Sequence, residues 1–138
     1  MKLVTPADVR VEGFTFDTGA LIALERRSRR MWAVWERALD RQVPITVPAD
    51  VVAEWWRGQR GPIARLLDAV FVEPLTDALA RTAGEALARC KSGPSTIDVI
   101  VVASAAARGD TVFTSDVADL DHVREVAFPS VRILGVGA

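Results

Sequence analysis

The sequence is poor in the residues that build metal centres from soft ligands. Among its 138 residues there is one cysteine, Cys90, and one histidine, His122. A single cysteine excludes an internal disulfide and a cysteine-rich zinc site, and a single histidine nearly excludes a His-ligated metal centre and a two-histidine acid–base pair. If the chain is an enzyme, its carboxylates must carry the chemistry. The scarcity of cysteine also favours a reducing, cytoplasmic location.

An excess of one charge and long apolar runs are also missing. Lys and Arg number 17 against 18 Asp and Glu, which gives a net charge of -1. This balance excludes a polybasic tail as the source of any affinity for nucleic acid, and it provides no attraction to a membrane surface. No apolar run approaches the ~20 residues that span a bilayer, and the start of the chain lacks a signal-peptide core. We expect one cytoplasmic domain over residues 1–138, with residues 1–12 as an N-terminal lead segment and no membrane partner.

Short β-rich runs alternate with longer helical patterns, which is typical of a parallel sheet covered by helices, an α/β fold. Strands are predicted at residues 14–16, 45–47, 71–72, 111–113 and 131–134. Helices are predicted at residues 20–41 with a break near Ser28, at 50–57, from Pro62 onward, at 76–91 and at 96–108. The last of these is apolar on nearly every side, so we expect it to lie buried against the sheet.

Four acidic residues occupy positions where such a sheet binds ligands. Asp17 directly follows the first strand, and Asp116 follows the fourth. Ligands of open parallel sheets sit beyond the carboxyl ends of the strands, where the strand order reverses. If the order is 3-2-1-4-5, strands one and four are neighbours, and these two acids face one cleft. Glu54, on the helix after strand two, and Asp98, in the first turn of the apolar helix, are within reach of the same cleft.

A cluster of carboxylates without a lysine needs a cation. Like charges a few ångströms apart raise one another's pKa, so a bare cluster would partly neutralise itself. Hard oxygen ligands without histidine or cysteine select Mg²⁺ or Mn²⁺ over zinc. The chemistry that these ions support is attack of water on a phosphodiester, since the metal lowers the pKa of the water and neutralises charge at the phosphorus and the leaving oxygen.

Each acid also has a purely structural interpretation. Asp17 and Asp116 fit helix N-caps, and Ser95 with Asp98 fits a capping box. Glu54 fits a surface residue paired with the arginine three residues later. For each acid taken singly, such a structural role is at least as good an explanation as ligand binding. It gives no reason, however, for four acids to converge on one end of a sheet.

Four segments of the chain resemble the PIN domain family, specifically its VapC-type ribonuclease toxins. The matching segments are residues 16–24, 47–54, 96–105 and 114–120. The resemblance covers about residues 14–134 and implies a three-layer α/β/α fold with a five-stranded parallel sheet of order 3-2-1-4-5 and helices on both faces. It also implies a Mg²⁺- or Mn²⁺-dependent endoribonuclease acting on tRNA or ribosomal RNA, a protein antitoxin that blocks the site, and a homodimer.

The resemblance assigns roles to the acids as well. It implies that Asp17 and Asp98 bind the metal directly, and that Glu54 and Asp116 complete the catalytic site as metal ligands, directly or through water. Asp119 is a weaker candidate. The Thr-Ser-Asp turn of the fourth segment adds two second-tier candidates, Thr114 and Ser115. The lead before the first strand departs from the pattern of many members, which begin almost at that strand.

Clustered arginines and tryptophans are the remaining candidates for functional residues. The arginines are Arg26, Arg27, Arg29 and Arg30. Their simpler interpretation is a solvated helix face, and the functional one is contact with RNA phosphates beside the acidic cleft. The adjacent Trp55 and Trp56 cannot easily point the same way, so we expect one to be exposed, where a protein partner or dimer surface is favoured over base stacking.

Other function classes fit the residues less well. A catalytically silent PIN-like module that only binds RNA or protein has no need to keep like charges together. A haloacid-dehalogenase-like phosphatase requires a second aspartate two residues after the first, where this chain has Gly19. A receiver-type phosphorylation domain requires a lysine beyond strand five, and Lys2 and Lys91 are the only lysines.

Overall fold

A parallel sheet forms the centre of the computed structural model, which describes residues 12–137. In that range five strands pair in the order β3-β2-β1-β4-β5, and every pairing is parallel. The strands are β1 (Phe14–Phe16), β2 (Ile45–Pro48), β3 (Phe71–Glu73), β4 (Thr111–Thr114) and β5 (Arg132–Gly135). The predicted strand order is therefore confirmed. Almost all of the predicted lead segment lies outside the described residues.

Helices connect the strands. The α-helices in the described part of the chain are α1 (Thr18–Glu25), α2 (Arg29–Asp40), α3 (Ala49–Trp55), α4 (Asp77–Arg89), α5 (Thr96–Arg108) and α6 (Val117–Ala127). Ser28 separates α1 from α2 and caps α2, since its hydroxyl accepts a hydrogen bond from the backbone N–H of Met31 (3.3 Å). The helix predicted from Pro62 onward is a 3-10 helix, Gly61–Ala69. No helix of residues 12–137 combines the length and the apolar character needed to cross a membrane.

The helices form a layer on each face of the sheet. Right-handed crossovers place α1 to α3 on one face and α4 to α6 on the other, because the chain moves in opposite directions from β1 to β3 and from β3 to β5. The packing agrees, since α1 contacts α2 and α3, whereas α4, α5 and α6 contact one another. As predicted, α5 is the buried helix, and its residues Val99, Val101 and Val102 are fully buried. The result is the expected three-layer α/β/α arrangement.

A buried ionic network ties α5 to the sheet. The guanidinium of Arg108, at the end of α5, pairs with Asp110 (Nε–Oδ2 3.0 Å) and with Glu73 (Nη1–Oε2 2.6 Å). Its Nη2 also donates to the hydroxyls of Thr15 (2.8 Å) and Ser104 (2.9 Å). One side chain therefore links α5, β1 and β3 through bonds that are largely hidden from water.

Candidate metal centre

The acidic residues singled out in the sequence meet in one cleft at the carboxyl edge of the sheet. The cleft has a volume of about 380 Å³ and lies where β1 and β4 end and where α1, α5 and α6 begin. The acids that line it are Asp17, Glu54, Asp98, Asp116 and Asp119. The convergence follows from the topology, because β1 and β4 are paired neighbours at the centre of the sheet.

Asp17 is the most deeply buried of these acids, with 7% of its surface exposed. It caps α1, since its Oδ1 accepts a hydrogen bond from the backbone N–H of Ala20 (3.0 Å). Its Oδ2 accepts a bond from the hydroxyl of Thr114. Burial raises the pKa of Asp17 to about 6, against the opposing effect of these two hydrogen bonds, and the charge of Asp98 adds to the rise.

Asp98 has a capping role as well as a place in the cleft. Its Oδ2 accepts from the backbone N–H of Ser95 (2.9 Å), while the Ser95 hydroxyl accepts from the backbone N–H of Asp98 (3.1 Å). The predicted capping box is thus present. Burial raises the pKa of Asp98, and the charges of Asp116 and Glu54 raise it further. Asp98 can therefore be both a capping residue and a candidate metal ligand, because the carboxylate that accepts the capping bond also faces other acids in the cleft.

Asp116 and Asp119 complete the tightest group. Asp98, Asp116 and Asp119 each offer one carboxylate oxygen, and these atoms lie within 4.8 Å of one another. Asp116 stands at the N-cap of α6, yet its side chain makes no capping bond. Desolvation raises the pKa of Asp116, and a hydrogen bond and the charge of Asp119 add to the rise. Asp119 was the weaker candidate, although its spacing three residues after Asp116 places both acids on one side of the first turn.

Glu54 reaches the cleft from α3 and is exposed. Its Oε1 accepts a hydrogen bond from the hydroxyl of Thr18, a residue that the sequence interpretation did not single out. The alternative pairing of Glu54 with Arg57 does not form. The Nη1 of Arg57 donates instead to the backbone carbonyls of Trp56 (2.7 Å) and Ala53 (3.4 Å).

The second-tier candidates hold the acids in place. Thr114 is fully buried, and its hydroxyl donates to Asp17 while accepting from the backbone N–H of Asp116 (2.8 Å). Ser115 lines the cleft and packs against Gly19. A Cβ on Gly19 would lie 2.5 Å from the Cβ of Ser115, which explains why this position has no side chain. The turn after β4 therefore sets the spacing between Asp17 and Asp116.

The clustered arginines lie away from the cleft. None of Arg26, Arg27, Arg29 and Arg30 is among the residues that line it. They follow α1, which starts at the cleft and whose eight residues extend about 12 Å away from it. All four are exposed, and Arg30 lines a separate groove between α2 and the sheet. Their contact with RNA stays a prediction.

The donor set suits a hard divalent cation. The salt bridges formed among residues 12–137 include none of the five acids of the cleft. The carboxylates offer only oxygen atoms as metal ligands, and neither His122 nor Cys90 lines the cleft. Oxygen-only ligands of this kind fit Mg²⁺ or Mn²⁺. Such a cation would compensate the repulsion that adds to the effect of burial in raising the pKa values of Asp17, Asp98 and Asp116.

Comparison with known proteins identifies the family. The PIN domain profile matches residues 14–126, most of the chain. The chain belongs to the PIN domain family. The strand order of the sheet and the acidic cleft at its carboxyl edge are therefore features of a PIN domain. This assignment replaces the alternative of a haloacid-dehalogenase-like phosphatase. Comparison with curated proteins gave no match.

Solved structures share this PIN fold at low sequence identity. VapBC from Salmonella typhimurium, bound to DNA, is 15% identical with a TM-score of 0.68, and the match covers 92% of this chain and 100% of that one. VapBC2 from Rickettsia felis, bound to a promoter DNA fragment, is 12% identical with a TM-score of 0.66, covering 88% and 97%. FitAcB from Neisseria gonorrhoeae is 18% identical with a TM-score of 0.59, covering 89% and 97%. At these identities the likeness shows a shared fold.

The raised pKa of Asp17 predicts that the metal-free PIN domain loses stability as the pH rises. The folded protein holds the Asp17 proton up to about pH 6, whereas the unfolded chain releases it near the ordinary aspartate pKa of 3.8. Between these values the folded state binds more protons, so the free energy of unfolding falls with increasing pH, by about 3 kcal/mol in total. The measurement is urea unfolding in EDTA from pH 4 to pH 7.

Asp17→Asn is the matched control, because an amide still accepts the Ala20 N–H but does not titrate. Its unfolding free energy should depend less steeply on pH than that of the wild type. Some dependence should remain, since the pKa values of Asp98 and Asp116 are raised too. Equal slopes in the two proteins would contradict the assignment to Asp17.

Proposed function

We propose that this PIN domain is a Mg²⁺- or Mn²⁺-dependent endoribonuclease that hydrolyses RNA phosphodiester bonds as the toxin of a toxin–antitoxin pair. The observation that carries the proposal is the convergence of five carboxylates on one cleft, none of them paired with a cation of the described chain. Keeping these charges together without a bound ion costs stability, and a metal site gives a reason for the arrangement.

The residues present fit a metal ion. Asp98, Asp116 and Asp119 would hold it, because their carboxylate oxygens lie within 4.8 Å of one another. Asp17 and Glu54 line the same cleft and would complete the set, directly or through water. When bound, the ion would supply positive charge to the phosphate and lower the pKa of the attacking water.

The chain itself fixes the acids and attracts the phosphate. Thr114 holds Asp17, and Thr18 holds Glu54, so both carboxylates have defined orientations. Glu54 lines the cleft and is open to solvent, so we assign it the role of orienting an attacking water and accepting its proton. The helices α1, α5 and α6 all begin at the cleft, and the partial positive charge of helix N-termini favours both the carboxylates and an RNA phosphate.

The same proposal includes partners and location. The structural neighbours include VapBC and FitAB, and together with the sequence resemblance to VapC-type toxins this supports a protein antitoxin for the present chain. An antitoxin segment that carries arginine would neutralise the acidic cleft and block it. The substrate that we infer is RNA of the tRNA or ribosomal RNA class, cut in the cytoplasm by a homodimer.

Divalent metal should both stabilise the protein and switch on cleavage. At ten times its dissociation constant, Mg²⁺ or Mn²⁺ raises the free energy of unfolding by about 1.4 kcal/mol. We expect the purified protein to cleave RNA in Mn²⁺ and to leave it intact in EDTA. Gel analysis of total tRNA and ribosomal RNA, together with urea unfolding at increasing Mg²⁺, provides the measurement.

Two results would contradict the proposal. Cleavage that persists in EDTA would exclude metal dependence. RNA binding without cleavage, unchanged by metal, would favour the catalytically silent module instead. Calcium is a useful additional cation, since it tests whether stabilisation and cleavage respond to the same ion geometry.

A further inference from the structure

Positive charge is concentrated in one stretch of the chain, although the protein as a whole is nearly neutral. Residues 26–65 contain nine arginines and four acids, whereas the rest of the chain contains eight basic residues and 14 acids. This stretch includes α2, β2, α3 and the start of the 3-10 helix, and it contains one of the acids of the cleft, Glu54. The segment that follows Glu54, residues 56–60, carries Trp56, Arg57 and Arg60.

Trp56 presents an exposed ring on a rigid support. It is 39% exposed, while the adjacent Trp55 is 4% exposed. The indole N–H of Trp55 donates to Oε1 of Glu25 (3.3 Å), which anchors it to α1. The rings of Trp55 and Trp56 lie 6.1 Å apart between centroids. The expectation that one tryptophan of this pair is exposed is therefore confirmed, and the exposed ring rests against a buried one.

The backbone around Trp56 is held by Gln59. The side-chain amide of Gln59 donates to the carbonyl oxygen of Trp55 (3.1 Å), and its Oε1 accepts from the backbone N–H of Arg57 (2.6 Å). Gly58, with φ of +75°, supplies the left-handed residue that the reversal requires. These bonds hold the segment in a turn at the end of α3. An aromatic surface that is already ordered in this way loses little conformational entropy when it binds a ligand.

The arginines beside Trp56 have guanidinium N–H groups that are available to bind a ligand. Arg57 and Arg60 are exposed, and neither forms an ion pair with a residue in the range 12–137. Arg57 uses only Nη1 to bond backbone carbonyls, so most of its five N–H donors remain available. Planar guanidinium groups suit phosphate oxygens, and aromatic rings suit the faces of bases.

We propose that residues 56–60 form a substrate-positioning surface on which Trp56 stacks against a base of single-stranded RNA while Arg57 and Arg60 contact the neighbouring phosphates. The inference rests on the proposed ribonuclease function. Trp56 does not itself line the cleft, but its Cα atom is two peptide units from that of Glu54, at most ~7.6 Å away, so an RNA strand that crosses the end of α3 can contact the ring at one nucleotide and the cleft at another. Trp56 therefore sets which nucleotide lies over the acids.

A protein-binding role is the competing explanation for the exposed ring. An apolar docking surface needs several apolar side chains together. Among the described residues, the other large apolar side chains that are exposed are Leu75, in the loop between β3 and α4, and Val117, at the start of α6. Trp56 is instead followed by two exposed arginines, which favours a ligand that combines aromatic rings with negative charge.

The test measures binding of a short, labelled single-stranded RNA of mixed sequence by fluorescence anisotropy in EDTA, where cleavage is not expected. Trp56→Ala should weaken binding by about 5- to 150-fold, the range for one base stacked on an aromatic ring. Trp56→Phe retains a stacking face and should bind close to the wild type. Leu75→Ala, which removes a side chain that is 45% exposed in the loop between β3 and α4, should leave the affinity unchanged.

The arginines are tested by the salt dependence of the same binding. Arg57→Ala and Arg60→Ala should each reduce the slope of log affinity against log salt by about 0.7, the value for one phosphate contact on a single strand. Arg132→Ala, which removes an exposed arginine on β5, is the control and should not change the slope. In Mn²⁺, Trp56→Ala should raise KM for RNA cleavage more than it lowers kcat.

The outcomes separate the inference from the proposed function. Cleavage by the wild type with unchanged RNA affinity in Trp56→Ala would overturn the inference alone. Stacking on Trp56 without cleavage in Mn²⁺ would overturn the ribonuclease and leave the RNA-binding surface. A Trp56→Ala protein that binds RNA normally but loses self-association in sedimentation would assign the ring to a dimer interface and also overturn the inference.

Discussion

Arg108→Met should lower the free energy of unfolding by about 3–5 kcal/mol, the loss typical of breaking a buried ion pair by removing one partner. The side chains of Arg108 and Asp110 are 12% and 5% exposed, and that of Glu73 is 22% exposed. Methionine fills part of the same volume, but it leaves two carboxylates without their cation. Urea unfolding at neutral pH gives the value.

The comparison variant is Arg81→Met. Arg81 pairs with Asp77 on the surface of α4, where the two side chains are 78% and 79% exposed. A surface pair of this kind contributes about 0.5 kcal/mol or less. If the two variants lost similar stability, the network around Arg108 would have no special role in holding α5 against β1 and β3.

The alternation of short β-rich runs with helical patterns predicted a parallel sheet covered by helices, and the resemblance to PIN domains supplied its strand order. Neither of them predicted the network of Arg108, since its carboxylate partner Glu73 lies 35 positions earlier in the chain. No local spacing connects these residues. Only the packing of α5 across the sheet brings the guanidinium to the edge strand β3, and the sequence offered many cations and acids as equally plausible pairs.

Residues of the site were predictable where topology alone decides the position. Asp17 and Asp116 end neighbouring strands, so their convergence follows from the strand order. The partner of Glu54 was less predictable, because Arg57 lies at helical spacing three residues later, whereas Thr18, the residue that bonds it, lies 36 positions earlier. The helix α3 ends at Trp55 rather than at Arg57, and Trp56 has an extended backbone. The guanidinium of Arg57 therefore turns back to the carbonyls at the helix end instead of to Glu54.

Asp98→Asn separates the two roles of the residue that caps α5 and lines the cleft. We expect cleavage of RNA in Mn²⁺ to fall by at least about 100-fold, since changes to groups that merely support a metal ligand already lose 10–100-fold in affinity or activity. Without metal, the variant should be as stable as the wild type or more stable. The amide oxygen still accepts the Ser95 N–H, whereas the charge that Asp116 and Glu54 oppose is gone.

Asp98→Ala completes the Asp98→Asn experiment, because alanine removes the capping acceptor together with the charge. It should be as inactive as Asp98→Asn but less stable by about 0.5–2 kcal/mol, the contribution of a capping bond. Asp77→Asn, in the first turn of α4 and outside the cleft, should retain activity. An Asp98→Asn protein with a clear loss of metal-free stability, or with undiminished cleavage, would show that the aspartate serves the helix rather than the metal. Equal stability with abolished cleavage would mean that its negative charge is maintained for the cation, since the cap alone is equally well served by the neutral amide.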